Sequence, residues 1–425
     1  MNDGADVGYV RRFPIVPCSR HEPFMSSSAA PLLSPSLLDH VRPQALTLPE
    51  SGIVEVFNYG RGREGLIPLW AGEGDLPTPA FIAEAATRAL AAGETFYTWQ
   101  RGIPELRAAI ARYMSRLYGV AEDPERYFVT GSGMHAVQVA LGLTVSAGEE
   151  VIVPSPEWPN IAAAAEAAGA RPVYVPFSFD EARGFWLDLD RLESAVTAKT
   201  RVIFINSPAN PTGFVASHDT LRGVLDIARR HGLWIIADEI YGRFFYEAGE
   251  GGLAPSFHDV MEPEDRILFV QTFSKNWAMT GWRMGWLEAH PSLGDVIENL
   301  IQYSNSGVAA FMQRAGVAAL ERGESFVAHQ IERARRGREI VAKGLAASNR
   351  VRFAPPPGAF YMFFGVEGES DTRQLALKLV DEANIGLAPG TAFGPGGEAY
   401  IRLCFARGEA QITEATDRLV NWLKK

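Results

Sequence analysis

The sequence predicts an α/β fold built on one wide, mostly parallel sheet flanked by helices, and two observations support this prediction. Seven short runs rich in Val, Ile and Phe alternate with helical segments between residues 126 and 289. Most of these runs are continuously apolar, which is typical of parallel strands that helices cover on both faces. Ligands of such sheets bind beyond the carboxyl ends of the strands, so the functional residues are expected there.

The predicted strands lie at residues 126–130, 149–154, 171–177, 200–206, 233–238, 266–272 and 284–289. Segments of helical periodicity, such as HAVQVALGL and HDTLRGVLDIARR, separate them. After about residue 325 the pattern changes to a long charged helix followed by shorter apolar runs. This change predicts a second, smaller α+β domain.

The composition of each segment predicts the domain boundaries. Residues 1–50 are rich in Ser, Pro and Ala without a sustained period, and Met25 offers a second start, so we interpret this segment as a mobile arm. We expect residues 51–75 to join the small domain. Residues 76–320 are expected to form the large domain, and residues 321–425 the small C-terminal domain.

The overall composition also limits the partners and the compartment. A formal charge of −10 argues against an extensive nucleic-acid-binding surface. No apolar stretch reaches the roughly 18 residues of a membrane span, and the acidic residues near the start do not fit a signal peptide. Cys18 and Cys404 are far apart and lack metal-binding spacing, which favours a reducing cytoplasm.

Polar residues follow several predicted strands. The loop GSGMHA, residues 131–136, opens a helix and offers backbone N–H groups to an anion, although such turns are common. Asn210 lies in the rigid turn NSPANPTG, which an ordinary Asn-Pro turn would also explain. Asp238 ends an apolar strand, where a carboxylate needs a cationic or hydrogen-bonding partner. That partner is either an arginine elsewhere or a protonated ring nitrogen of a cofactor.

Lys275 follows the next predicted strand, within the segment TFSKNWAMTGWRMGW at residues 272–286. A desolvated lysine loses proton affinity, and its free amine then attacks carbonyl groups. Arg283 has the planar fork that suits a phosphate, and Thr272 and Ser274 add hydroxyl donors. A lone lysine in such a place is usually a surface charge, but phosphate donors on both sides and a buried acid upstream favour a nucleophile.

The motifs GSGMH, PEWPN, NSPANPTG, DEIY, SKNWAMTGWRMG and IRLCF occur in the same order as in a known family. Their order resembles that of the class I/II aminotransferases, which have fold type I and use pyridoxal 5′-phosphate. The resemblance runs from about residue 69 to the C-terminus. It implies that the large domain binds the cofactor. It also implies a ping-pong transfer of an amino group from an L-amino acid, such as aspartate or an aromatic amino acid, to a 2-oxo acid, with 2-oxoglutarate the expected acceptor.

The resemblance assigns roles around the cofactor ring. Lys275 matches the lysine that holds the cofactor as a Schiff base and then moves the substrate proton as a general base. Asp238 matches the aspartate that pairs with the pyridinium nitrogen. Tyr241 and Asn210 match the groups that bond the 3′ oxygen. Trp158 matches the aromatic residue that stacks on the ring, although an ordinary buried tryptophan would explain it too.

The resemblance also assigns the phosphate and substrate contacts. Arg402 matches the arginine that binds the substrate α-carboxylate bidentately, with Trp158 and Asn210 beside it. Gly72 matches a backbone contact to the same carboxylate, although Gly74 stands where relatives commonly have proline. Six residues are assigned to the phosphate, and the third of them offers only its backbone N–H: Ser132, Gly133, Met134, Thr272, Ser274 and Arg283.

Two further features bear on assembly and substrate. Tyr97 matches a tyrosine that reaches the phosphate of the neighbouring subunit, which implies a homodimer with shared active sites. One branch of aspartate aminotransferases has an arginine just before a Tyr-Ser-Asn, but here residues 300–302 are Leu, Ile and Gln. Aromatic and aliphatic donors therefore stand beside aspartate, and Trp99, Arg101 and Phe360 are candidates near the side-chain pocket.

Three alternatives remain beside a transaminase. The same residues also serve a β-lyase or synthase, and the motifs do not separate these activities. A transcription regulator with an aminotransferase-like domain would need a helix-turn-helix upstream, and the first 50 residues lack its length and periodicity. A nicotinamide-dependent dehydrogenase is another α/β enzyme, but GSGMHA lacks the third glycine position of that fingerprint. We expect the transaminase.

Overall fold

The computed structural model of the 425-residue chain describes residues 35–247 and 252–425. The chain divides into two compact units, Met1–Leu46 and Thr47–Lys425.

The described part of the first unit contains two short helices, α1 (Pro35–Leu38) and α2 (Pro43–Leu46), whose leucines are exposed. Most of the predicted arm lies outside the described residues, namely residues 1–34 with Cys18 and Met25. Its mobility therefore stays a prediction.

The α-helices described in the second unit are α3 (Gly52–Gly60), α4 (Ala80–Ala91), α5 (Pro104–Tyr118), α6 (Gly133–Thr144), α7 (Asn160–Ala167), α8 (Leu189–Ser194), α9 (His218–His231), α10 (Gly294–Gln302), α11 (Ala310–Arg322), α12 (Glu324–Ala346), α13 (Thr372–Ala383) and α14 (Glu409–Leu423). Its strands are β1 (Ile67–Pro68), β2 (Tyr127–Thr130), β3 (Glu150–Ser155), β4 (Arg171–Pro176), β5 (Ser178–Asp180), β6 (Gly184–Trp186), β7 (Thr200–Asn206), β8 (Trp234–Asp238), β9 (Ile267–Thr272), β10 (Gly285–Glu288), β11 (Val351–Arg352), β12 (Tyr361–Val366), β13 (Ile385–Gly386), β14 (Ala388–Pro389) and β15 (Ile401–Cys404). Among the helices described, none combines the length and the apolar character that crossing a bilayer requires.

Seven strands form the large sheet, in the order β2-β10-β9-β8-β7-β3-β4. Strand β10 runs antiparallel to both of its neighbours, and the remaining pairs are parallel. These seven strands are the seven that the sequence predicts. The α/β fold with a mostly parallel sheet is thus confirmed.

Both faces of the large sheet are buried, as the apolar runs predict. Along β7, Val202 and Phe204 face a core that includes residues of α6, α7 and α10. The alternate residues Ile203 and Ile205 face a different core, built with α8 and α9. Because successive side chains of a strand point to opposite faces, a strand covered on both sides must be apolar throughout.

The central parallel strands end in polar residues at one edge. Asn206, the last residue of β7, pairs in register with Asp238, the last residue of β8. Asp238 in turn pairs with Val270 of β9, which continues to Thr272. Side chains that follow or end these strands therefore converge at the carboxyl edge of the sheet.

A second sheet is antiparallel, with the order β11-β12-β15-β14. Strand β1, which belongs to the segment 51–75, pairs with β13 in parallel. Val56 and Ile67 from that segment share one core with residues of β12, α13 and α14. These contacts accord with a large domain at 76–320 and a small domain at 321–425 that the segment 51–75 joins. That division remains our proposal.

Trp70 is held in a slot that two glycines leave open. A Cβ atom at Gly386 would lie 1.9 Å from the indole ring, and one at Gly60 would lie 2.8 Å from it. Trp70 is buried, with 4% of its surface exposed. The position of this residue therefore depends on glycine at both places.

Gly386→Ala is expected to destabilise the protein by about 1–3 kcal/mol, because the added methyl group overpacks the Trp70 slot. The matched control is Gly142→Ala in α6, where the new Cβ meets only one side-chain atom, at 3.7 Å. Alanine there should stabilise the helix by about 0.5–1 kcal/mol. Urea unfolding measures both values. A Gly386→Ala protein as stable as the parent would show that the indole ring moves aside freely.

Candidate active site

A cavity lies at the carboxyl edge of the large sheet and encloses about 850 Å³, part of it open to solvent. Twelve of the fourteen predicted site residues line it: Gly72, Gly133, Met134, Trp158, Asn210, Asp238, Tyr241, Thr272, Ser274, Lys275, Arg283 and Arg402. The strands and loops named above therefore bring together residues that are up to 330 positions apart in the sequence (72 to 402).

Lys275 lies in the wall of this cavity and is half-buried. Its Nζ donates a 2.6 Å hydrogen bond to the carbonyl oxygen of Gly72 and lies 5.8 Å from the centroid of the Tyr241 ring. Burial lowers the pKa of the Lys275 amine to about 8, and the charges of Arg402 and Arg283 lower it as well. The uncharged, nucleophilic form of this lysine is therefore far more populated near neutral pH than that of an ordinary lysine.

Asp238 presents a buried carboxylate to the same cavity. One of its oxygens accepts the backbone N–H of Ile240 at 3.3 Å, and among the described residues it forms no ion pair. Burial raises the pKa of Asp238 to about 7, although the Lys275 charge opposes the rise. The sequence leaves two possible partners for Asp238, an arginine or a protonated ring nitrogen of a cofactor. No arginine among the described residues pairs with it.

One end of the cavity is built to hold an anion. Helix α6 begins at Gly133, and its N-cap Ser132 accepts the N–H of His135 at 3.0 Å. Opposite this helix end, Thr272 Oγ1 and Ser274 Oγ are hydrogen-bonded at 3.0 Å. The N-terminus of a helix, with its free N–H groups and positive dipole end, attracts phosphate.

Two backbone features give this end its shape. Arg283 has a φ of 51°, in the left-handed region that a side chain rarely adopts, and its Nη1 donates to the carbonyl of Thr280 at 2.7 Å. A Cβ at Gly285 would lie 2.9 Å from the backbone nitrogen of Gly133. Only glycine in β10 lets the two chain segments approach so closely, and the backbone strain at Arg283 points to a functional demand on its side chain.

Arg402 of β15 also lines the cavity, and it is almost fully buried. Its Nη1 donates to Asn210 Oδ1 at 2.8 Å, and its Nη2 donates to the carbonyl of Trp70. The rings of Tyr361 and Phe393 lie 4.6 and 4.8 Å from the guanidinium carbon. Its Nε is buried without a hydrogen-bond partner. An unpaired donor on a buried cation favours an anionic ligand.

Some predicted residues lie elsewhere. Tyr97 does not line the cavity and is 95% exposed. Ser132 does not line it either, but it caps helix α6, whose first residues do. Arg101 does not line the cavity either, and Glu298, Asp295 and Glu125 bind its guanidinium. Its place near the side-chain pocket stays a prediction.

Two other candidates for the side-chain pocket also lie outside the main cavity. Trp99 is 61% exposed. Phe360 lines a smaller cavity on the other side of Lys275. The sequence prediction also missed Tyr361, Trp70, Asn206 and Ile53, all of which line the main cavity. The only signal of Tyr361, Trp70 and Asn206 was their position near residues already selected, and Ile53 had no such signal.

A family model described as aminotransferase class I and II matches residues 64–419. The chain belongs to this family. An aspartate aminotransferase of Pyrococcus horikoshii is 35% identical, covering 88% of this chain and 95% of the relative. An aromatic-amino-acid aminotransferase of Thermococcus litoralis is also 35% identical, covering 88% and 96%. The crystal structure of an aspartate aminotransferase from Thermotoga maritima matches with a TM-score of 0.84 and 32% identity, covering 91% of this chain and all of that one.

Membership of this family establishes the chemistry in outline. The chain is a transaminase of fold type I that depends on pyridoxal 5′-phosphate and moves an amino group from an amino acid to a 2-oxo acid. The cavity fits this cofactor, because it offers an anion-binding helix end, a carboxylate without a cation and an amine of lowered pKa. The described site therefore agrees with the family on chemical grounds.

In the cofactor-free protein, Asp238→Asn is expected to increase stability at pH 8 by at least ~1 kcal/mol. The folded protein holds the Asp238 proton up to about pH 7, whereas the ordinary pKa is 3.8. Stability contributed by the protonated form is therefore lost as the pH rises through 7. The advantage of the variant should shrink between pH 8 and pH 5, which thermal melting at both values measures. A gain independent of pH would contradict the raised pKa.

Proposed function

We propose that Lys275 holds pyridoxal 5′-phosphate in this cavity and that Arg402 binds the α-carboxylate of the amino acid. One observation supports this proposal above the others. An amine of lowered pKa, a buried carboxylate without a cation and a buried guanidinium with an unpaired N–H line one cavity. The cofactor has an aldehyde for the amine and a ring nitrogen for the carboxylate. The substrate has a carboxylate for the guanidinium.

The proposed contacts of the cofactor follow from the ends of the cavity. Its phosphate would bind at the N-terminus of α6 and to Thr272, Ser274 and Arg283, because a helix N-terminus offers free backbone N–H groups to an anion. Asp238 keeps the ring nitrogen protonated, since that nitrogen supplies the cation that the carboxylate lacks. When bound, the cofactor supplies an electron sink that weakens the Cα–H bond of the amino acid.

Three further residues complete the proposed binding of the ring. Tyr241 and Asn210 hydrogen-bond the 3′ oxygen, and Trp158 packs on the face of the ring. All three line the cavity, and Asn210 is also bonded to Arg402. Asn210 thereby connects the place of the ring with the place of the substrate carboxylate.

The proposed work of the chain on the substrate has two parts. Arg402 and the Gly72 backbone hold the α-carboxylate, which fixes the direction of the Cα–H bond. With the cofactor bound, Lys275 would take up the proton from Cα on its Nζ, because its lowered pKa lets it act as a base near neutral pH. We propose two such half-reactions in a ping-pong sequence, with 2-oxoglutarate as the amino acceptor.

The proposed donors are L-amino acids, with aspartate and aromatic amino acids as the first to test. The names of the two relatives above divide between these substrates. Three cations line the described cavity, namely Lys275, Arg283 and Arg402, and all three already have proposed partners. Ile53, Trp70 and Met134 give the remaining wall an apolar character that suits aromatic and aliphatic side chains.

We also propose a homodimer with shared active sites. Four exposed aromatic residues lie in two neighbouring segments: Phe96 (84%), Tyr97 (95%), Trp99 (61%) and Tyr303 (87%). The segments are adjacent, since a Cβ at Gly307 would lie 3.4 Å from the carbonyl of Trp99. Exposed aromatic clusters mark interfaces, and a second copy would carry Tyr97 to the partner's phosphate. The cytoplasmic location is part of the same proposal.

Lys275→Ala is expected to lose the cofactor link and at least 10³-fold of the transaminase activity, because one group is both attachment point and base. Reduction with borohydride followed by mass measurement tests the link, and loss of the visible absorption band on addition of aspartate or phenylalanine tests the half-reaction. The control is Lys378→Ala, which removes a surface lysine paired with Glu369. A borohydride-fixed cofactor in Lys275→Ala would contradict the assignment. Release of pyruvate and ammonia as the main products would instead indicate a lyase.

Tyr303→Asp is expected to weaken the proposed dimer about tenfold or more, because it would place a charge within the exposed aromatic cluster that is proposed to form the interface. Sedimentation measures the mass, and cofactor affinity should fall in parallel as Tyr97 leaves the partner's site. The control is Tyr174→Asp on β4, the strand at the opposite edge of the large sheet. A parent protein that sediments as a single chain would contradict the proposal.

A further inference from the structure

Tyr361 is one of the buried residues of the cavity that the sequence motifs did not indicate. It begins β12 and lies next to the predicted cluster, with none of its surface exposed. Its hydroxyl oxygen is 2.7 Å from that of Tyr241, and both side chains are buried. The residue therefore touches the group that is proposed to bond the 3′ oxygen of the cofactor.

The ring of Tyr361 makes two further contacts with proposed site residues. Its centroid lies 4.6 Å from the guanidinium carbon of Arg402, within the range of a cation–π interaction. A Cβ at Gly72 would lie 2.4 Å from the Tyr361 hydroxyl, so glycine is required at that position. Tyr361 thus lies against Tyr241, which is proposed to bond the ring oxygen of the cofactor. It also lies against Arg402 and Gly72, which are proposed to hold the substrate carboxylate.

The count of hydrogens fixes the direction of the bond between the two tyrosines. A phenol has one O–H to donate, and two buried hydroxyls 2.7 Å apart share one bond. When Tyr241 gives its hydrogen to the cofactor oxygen, it has none left for Tyr361. Tyr361 must then be the donor. Tyr241 accepts a hydrogen bond from Tyr361 and donates one to the cofactor oxygen.

The surrounding charges favour this direction. Burial raises the pKa of both hydroxyls, but the guanidinium of Arg402 opposes the rise at Tyr361 more than any other group does. At Tyr241, the neighbouring Tyr361 and the Asp238 carboxylate raise the pKa further. Of the two, Tyr361 is therefore the more acidic and the better donor.

We propose that Tyr361 is a positioning residue that donates to Tyr241 and so strengthens the bond of Tyr241 to the cofactor, while its ring steadies Arg402. The proposal rests on the function proposed above, because it uses the roles of Tyr241 and Arg402. Tyr361 acts on the cofactor through Tyr241, because each hydrogen bond in a chain strengthens the next one. It makes no contact with the reacting atoms in this scheme.

The two parts of the proposal have separate variants. Tyr361→Phe keeps the ring over Arg402 and removes only the hydroxyl, so KM for the amino acid should stay within about twofold of the parent value. Tyr361→Leu removes both, and loss of the cation–π contact should raise KM by about two- to thirtyfold. A purely structural role would not divide the two effects in this way.

The test of the hydroxyl is a pH titration of the visible absorbance of the bound cofactor, without substrate. Donation from Tyr241 stabilises negative charge on the cofactor oxygen, which favours the deprotonated form of the chromophore. Tyr361→Phe weakens that donation without removing it, so the midpoint should rise by about 0.1–0.3 of a pKa unit, which is the cooperative part of one net hydrogen bond.

Two control variants separate the possible failures. Tyr241→Phe should raise the midpoint at least as much as Tyr361→Phe. Tyr246→Phe removes a partly buried hydroxyl, which donates to the Ala359 carbonyl at 2.5 Å, and it should lower the melting temperature without moving the midpoint. A shift in Tyr241→Phe with none in Tyr361→Phe overturns the inference alone. No shift in Tyr241→Phe overturns the proposed role of Tyr241, and an equal shift in Tyr246→Phe overturns the positioning role.

Discussion

The buried guanidinium of Arg402 is the interaction on which the arrangement of the cavity depends. It projects from the second sheet, donates to the carbonyl of Trp70 in the segment before α4, and donates to Asn210 after β7. Three distant parts of the chain are thereby fixed around one positive charge. A buried charge is costly unless its hydrogen bonds are made, so each of these partners is constrained as strongly as the arginine itself.

Burial also controls the charge of two other groups that line the cavity, Lys275 and Asp238. Burial moves the pKa of Lys275 down to about 8 and that of Asp238 up to about 7. Both groups consequently change charge near neutrality, and neither is held in one form by an ion pair within the described chain. The charge on a bound ligand can therefore change the protonation state of both groups. Burial prepares functional sites for binding and proton transfer in this way.

The sequence predicted the large sheet and most of the site because both depend on local signals. A strand buried on two faces is apolar throughout, so its limits were predicted to within about a residue. Short strands such as β1 and β13 left no such signal, since their pairing is decided by tertiary contacts. Tyr361 in an apolar strand looks like an ordinary core residue, and only its distance from Tyr241 distinguishes it. The ion pairs of Arg101 were not predicted, because charge pairing with carboxylates far away in the sequence leaves no local pattern.

The left-handed backbone at Arg283 has a consequence for engineering. Glycine or asparagine would relax this conformation, and by stability alone either would be the better choice at this position. Each would also remove the cation from the anion-binding end of the cavity. A search for more heat-resistant variants of the empty protein would therefore tend to select against its own cofactor, and such a search should be run with the cofactor present.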